Sequence, residues 1–197
     1  MSVRCISFVL AAVLLGGCGG SEKSRVANPN TSYIPSLGGV SQPATDSISY
    51  WDGDGVAGSP SVIIYLKEQR AYFYKGDQLV GVSQVSAGRE GHNTPIGNFK
   101  IMQKDPNHAS NLYGDFVDAA GNIVQKDVEA GKDPKPPGAL FKGAPMPFFM
   151  RITGGVGMHQ GYLPGYPASH GCIRMPGKMA ETFYNNVQLG TPVQIVD

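Results

Sequence analysis

Glycine and proline punctuate this chain so densely that its regular elements have to be short. There are 27 glycines and 15 prolines among 197 residues, a composition that favours turns over long helices. The runs between them are rich in β-branched and aromatic residues. Val62-Ile63-Ile64-Tyr65-Leu66 and Ala71-Tyr72-Phe73-Tyr74 read as strands, and Lys75-Gly76-Asp77-Gln78 as a turn ahead of a strand over 79–86. Residues 98–102 and 148–153 alternate with period two, and 192–196 place Val193 and Ile195 on one face. One helix is predicted over 178–187, where Met179, Phe183 and Val187 recur every four residues just after Pro176. Together these predict a mainly β domain, a β-rich sandwich or barrel-like mixed-sheet architecture with one or two short helices. Residues 107–147 carry Lys132-Asp133-Pro134-Lys135-Pro136-Pro137 and read as a long loop-like region, of the kind that often serves as a functional lid.

Upstream of Ser61 the composition changes. Residues 6–15 are an apolar run shorter than the roughly 20 residues a membrane helix needs, as in an export signal. The run ends in Leu15-Gly16-Gly17-Cys18, which looks like a bacterial lipobox with Cys18 as the lipidated residue. The alternative is an ordinary signal cleaved near Gly17 or Gly19. Residues 19–60, with Asn28-Pro29-Asn30, Gly38-Gly39 and Gly53-Asp54-Gly55, have the composition of a flexible tether. Tyr50-Trp51 interrupts it and is expected to pack on the domain edge. The expected organisation is a signal over 1–18, a tether over 19–60 and a folded domain over 61–197, exported and lipid-anchored in the cell envelope. A net charge of +1 with 16% charged residues gives no basic field for a nucleic-acid partner.

The cysteines point to the chemistry. Cys5 leaves with the signal and Cys18 carries lipid, so Cys172 stands as the one free thiol of an exported chain, where thiols usually pair. It lies in Ser169-His170-Gly171-Cys172-Ile173-Arg174, downstream of Gly157-Met158-His159-Gln160-Gly161. The thiolate is the nucleophile, and a nearby imidazole raises its reactive fraction. Gly171 permits a sharp turn, and the N–H groups of Gly171 and Cys172 are candidate oxyanion donors. The spacing leaves open whether His159 or His170 is the base, because residues i and i+2 share a face only in an extended segment. Arg174 is a candidate for holding a substrate carboxylate, with bracing of loop carbonyls the alternative, and Ser169 is a further substrate-binding candidate.

The series Ser86-x-Gly88, Thr94-Pro95-x-Gly97-x-Phe99, Gly157-x-His159 and Ser169-His170-Gly171-Cys172-x-Arg174 resembles, in order, the motifs of the L,D-transpeptidase (YkuD-type) catalytic domain family. The resemblance implies a peptidoglycan enzyme with no cofactor. Cys172 would be the nucleophile and His159 the general base and acid. A backbone carbonyl just after His159, such as that of Gln160, would orient the base. His170 would shape the loop or help hold substrate, and the Thr94–Phe99 turn would support the groove. Partners would be peptidoglycan stem peptides and an envelope lipoprotein as acceptor, with carbapenems as acylating drugs. One departure is the interval of nine residues between His159 and Ser169, shorter than is common in the family. Two other readings use the same residues. One is a stem-peptide hydrolase, with water as acceptor. The other is a metal-binding or catalytically silent wall-binding module, in which Cys172, His159 and His170 would be zinc ligands. No common zinc motif has their spacing.

Overall fold

The computed structural model describes residues 46–197. The lipobox with Cys18 and the tether up to residue 45 lie outside the described residues. Five strands come first: β1 (Tyr50–Trp51), β2 (Pro60–Tyr65), β3 (Arg70–Lys75), β4 (Gln78–Gln84) and β5 (Gly97–Lys100). Then follow β6 (Gln103–Asp105), β7 (Ala109–Val117), β8 (Ile123–Glu129) and β9 (Leu140–Pro145). The chain closes with β10 (Phe149–Thr153), β11 (Val156–Gln160), β12 (Ile173–Met175), helix α1 (Gly177–Asn186) and β13 (Pro192–Val196).

These strands make three sheets, in the orders β1-β4-β3-β2-β13-β5, β12-β11-β10-β6 and β8-β7-β9. The alternation read from sequence sets the register of the first. Val62 and Ile64 on β2 face inward beside Phe73 and Ala71 on antiparallel β3, and beside Val193 and Ile195 on parallel β13. Each such side chain, fully buried, is worth about 1.5–3 kcal/mol. From the second sheet Met150, Ile152, Met158, Ile173 and Met175 enter the same core, and α1 adds Met179, Ala180 and Phe183. The helix begins directly after Pro176 and is capped by Val187, close to the span its period and the proline predict. The domain is mainly β with a single helix among the described residues.

Two expectations need correction. Residues 107–147 are a three-stranded antiparallel sheet, not a long loop. It has its own small cluster of Phe116, Val128 and Ala139, with Phe141 packed on it. Register shifts in both strand pairs and a left-handed Asp127 (φ 52°) interrupt the period-two signal. The Asp127 N–H is pinned to the Asp115 carboxylate. The second correction concerns the end of the tether. Tyr50 and Trp51 pair with Val82 and Gly81 of β4, so ordered structure starts before Ser61. Trp51 packs edge-on against Phe73, with centroids 5.1 Å apart, and its indole N–H bonds Asp54. An apolar ring with a polar tip suits such an edge.

Candidate active site

The strand pair β11 and β12 carries the site. They run parallel, with Met158 opposite Ile173, His159 opposite Arg174 and Gln160 opposite Met175. Cys172 immediately precedes β12, and its sulfur lies over the turn that enters β11. The thiol donates to the Gly155 carbonyl at 3.4 Å, and the Gly157 N–H faces the sulfur. One step back in the ladder puts Cys172 beside Gly157, on the strand face that also presents His159, two residues further on. Residues 160–168 make the connection, and the Gly161 N–H returns to the Met175 carbonyl.

Hydrogen bonds fix the loop 169–172 on several sides. The Ser86–Gly88 segment lies along it. Ser86 exchanges both backbone bonds with Arg174, the Ser169 N–H donates to the Ala87 carbonyl, and the Arg89 N–H donates to the Ser169 carbonyl. Such close approach explains Gly88, where a Cβ would stand 2.0 Å from the His92 carbonyl oxygen. Gly171 has φ 111°, a conformation open to glycine. The Gly171 N–H donates to Ser169 Oγ at 3.0 Å, and the Ser169 hydroxyl donates to the Cys172 carbonyl. Two expectations change as a result. The Gly171 N–H is occupied and is not an oxyanion donor in this arrangement, which leaves that of Cys172. Ser169, buried and spent on the loop, is a brace and not a substrate contact.

The two histidines, equivalent from spacing, are separated by their hydrogen bonds. His159 is buried on β11, and its Nδ1 is 2.7 Å from the Gln160 carbonyl oxygen. A carbonyl only accepts, so Nδ1 carries the proton and Nε2 keeps a basic lone pair. This is the orienting carbonyl the sequence pointed to. His170 Nε2 instead lies 2.8 Å from an Arg89 guanidinium nitrogen. Arginine only donates, so this lone pair is taken and His170 does not serve as base through it. Tyr113 of β7 stacks on the His170 ring with centroids 4.1 Å apart, and His92 meets it edge-on at 4.8 Å. His170 thus shapes the loop and ties it to the three-stranded sheet.

Burial sets the resting protonation state. It pushes the His159 pKa down to about 4; the Gln160 carbonyl opposes this, and Arg174 and His108 add to it. Burial also raises the Cys172 thiol, against the Gly157 N–H and the Arg174 and Arg151 charges. His170 is lowered by burial first, then by Arg89, His92 and Arg174. At neutral pH Cys172 and His159 therefore rest as thiol and neutral imidazole, not as an ion pair. Arg174 is half-buried, and its charge reaches both Cys172 and His159. Among the described residues no three metal-ligating side chains come together, and His170 Nε2 already faces the Arg89 cation.

Arg89, Tyr113 and His108 carry no motif signal. His108 stacks on Phe149 with centroids 4.2 Å apart and pairs with Asp105, so it is more than a loop residue. His92, also read as a loop residue, packs on His170. Only the recurrence of aromatic and basic types around 89–113 hints at such a wall.

The domain also matches known proteins. The family model of the L,D-transpeptidase catalytic domain, YkuD, matches residues 59–195. The chain is 29% identical over 144 residues to the probable L,D-transpeptidase YbiS of Escherichia coli K12, covering 69% of this chain and 44% of the relative. It therefore spans less than half the length of that curated relative. Among solved structures, the L,D-transpeptidase from Mycobacterium smegmatis superposes with a TM-score of 0.53 at 18% identity, over 71% of this chain and 59% of that one. LdtMt1 in complex with imipenem gives a TM-score of 0.52 at 18% identity, over 70% of this chain and 59% of that one. At such identities the structures speak for the fold, and the family model for membership. From its motifs, its sheets and this match, the chain belongs to the YkuD-type L,D-transpeptidase catalytic domain family.

Proposed function

We propose that the protein is a peptidoglycan L,D-transpeptidase working by two acyl transfers on Cys172. The observation that carries this reading is the placement of Cys172 at the mouth of β12 beside β11. There His159 is held by the Gln160 carbonyl with its Nε2 lone pair available. In the first step Sγ attacks the carbonyl of the L-centre of the third residue in a donor tetrapeptide stem. The S–C bond forms, His159 takes the thiol proton, and the amide C–N bond breaks as that proton passes to the amine of the departing D-residue. In the second step an amine attacks the thioester, gives its proton to His159, and the C–S bond breaks to return the thiol. A stem side chain as acceptor gives a 3→3 cross-link; a lysine of an envelope lipoprotein gives anchoring. Because the pair rests neutral, proton transfer accompanies attack and does not precede it.

The first test is intact-protein mass after incubation with a carbapenem, wild type against Cys172→Ala. A single adduct confined to the wild type is expected. No adduct on folded, reduced protein would remove the acyl-transfer reading and favour a silent or metal-binding module. Product analysis of muropeptides then assigns the acceptor: released D-residue with no ligated product would make the enzyme a hydrolase. For the location, we infer export and lipid anchoring at Cys18, which supplies the membrane contact. Loss of membrane association in Cys18→Ala is expected, and retention would count against it.

A further inference from the structure

Thr94 opens the Thr-Pro-x-Gly-x-Phe motif and has no place in the chemistry above. It is buried, 4% exposed, yet its hydroxyl is fully used. Oγ1 accepts the Gly88 N–H at 2.9 Å and lies 2.8 Å from the Gly171 carbonyl oxygen. The first bond brings a hydrogen to the oxygen, so the hydroxyl's own hydrogen is directed at Gly171. Gly171, at φ 111°, is the most permissive residue of the loop. Its carbonyl belongs to the same rigid plane as the Cys172 N–H. No peptide bond here is cis, so in that plane the N–H points opposite to the C=O. Fixing one end of the plane fixes the other.

We propose that Thr94 is a positioning residue for acyl transfer, which aims the Cys172 N–H at the oxyanion by holding the Gly171 carbonyl from behind. The proposal rests on the acyl-transfer reading of the site. The other peptide groups nearby are spent: the Gly171 N–H on Ser169 Oγ, the Cys172 carbonyl on the Ser169 hydroxyl, the Ser169 N–H on Ala87. The Cys172 N–H has no protein acceptor among the described residues, and it points away from buried Thr94. A carbonyl attacked by Sγ brings its oxygen within reach of the N–H of the same residue, as in other acyl-transfer enzymes. Without the hydroxyl, the plane at a glycine is free to rotate, and the donor no longer waits in place.

Two reactions of the same sulfur separate this role from general support of the loop. Acylation by a carbapenem develops an oxyanion, whereas alkylation by iodoacetamide does not. Thr94→Val keeps the shape and removes the hydroxyl; Thr94→Ser keeps the hydroxyl; Thr94→Ala is a second hydroxyl-free form with no demand on space. Both rates are read by intact mass on folded protein. The expected result is acylation slowed by roughly 10–1000-fold in the Val and Ala forms, in the range of losing one oxyanion donor. Alkylation should stay at the wild-type rate, and Thr94→Ser should recover acylation. Equal loss in both reactions, no loss in either hydroxyl-free form, or failure of serine to restore the rate would each overturn the proposal. A wild type that is alkylated but never acylated would sink the acyl-transfer reading itself. Normal acylation in wild type and variants alike would sink the role of Thr94 alone.

Discussion

The two-sheet body and the three-stranded sheet β8-β7-β9 are built from the same kind of element and held together very differently. The body packs Ile64, Phe73, Met150, Ile173 and Phe183 into one continuous core. The small sheet gathers Phe116, Val128 and Ala139 and leaves Leu112, Ile123, Val124 and Leu140 exposed. Cys172 and His159 stand on the body, whereas the ring stacked on His170 comes from the small sheet. Local stability should follow the same division.

The comparison can be broken by measurement, starting where the effect is largest. Phe73→Ala empties a fully buried site and should cost about 3–5 kcal/mol in a denaturant melt. Acid acts on the body too. His159 ionises at about 4 when folded against about 6.5 when unfolded. The folded state therefore binds fewer protons between those values. Its stability is complete above about pH 6.5 and falls by up to about 3 kcal/mol as pH drops through about 4. His159→Gln, measured across that window, should flatten the dependence; an unchanged slope would show that the base is not buried as described. In the small sheet, Phe116→Ala should cost less, roughly 1–3 kcal/mol, because so small a cluster has few neighbours to hold a cavity open and relaxes more fully. Equal costs for Phe73 and Phe116 would mean one cooperative unit. The smallest effect is that of Tyr113→Ala, which removes a ring stack worth about 0.5–1.5 kcal/mol. It should speed amide exchange in β7 and β9 while β2, β3 and β13 stay protected. Uniform exchange would erase the distinction.

The same division explains what was legible in the sequence. Strands β2, β3 and β13 announce themselves because one face is wholly buried, so alternation at Val62, Ile64, Val193 and Ile195 is strict. Helix α1 was legible for the same reason, through Met179 and Phe183. The small sheet was not, because bulges near Gly114 and the left-handed Asp127 shift its phase, and few of its residues are buried. At the site, motif spacing pointed to Cys172 and to both histidines, and the family resemblance pointed to the Gln160 carbonyl. Spacing did not choose between the histidines, since that depends on Arg89, 81 positions upstream of His170 in sequence but against its ring in space. Nor did it show that Ser169 and the Gly171 N–H satisfy each other, because only the folded loop brings them together.

The hydrogen bond from the Cys172 thiol to the Gly155 carbonyl has a consequence for durability. Oxidants and stray disulfides react with thiolates, and their reach follows thiolate character and exposure. Cys172 rests half-buried and protonated, with its hydrogen directed to a backbone oxygen. With its hydrogen held by a backbone oxygen, Cys172 should resist oxidation better than an exposed thiolate would.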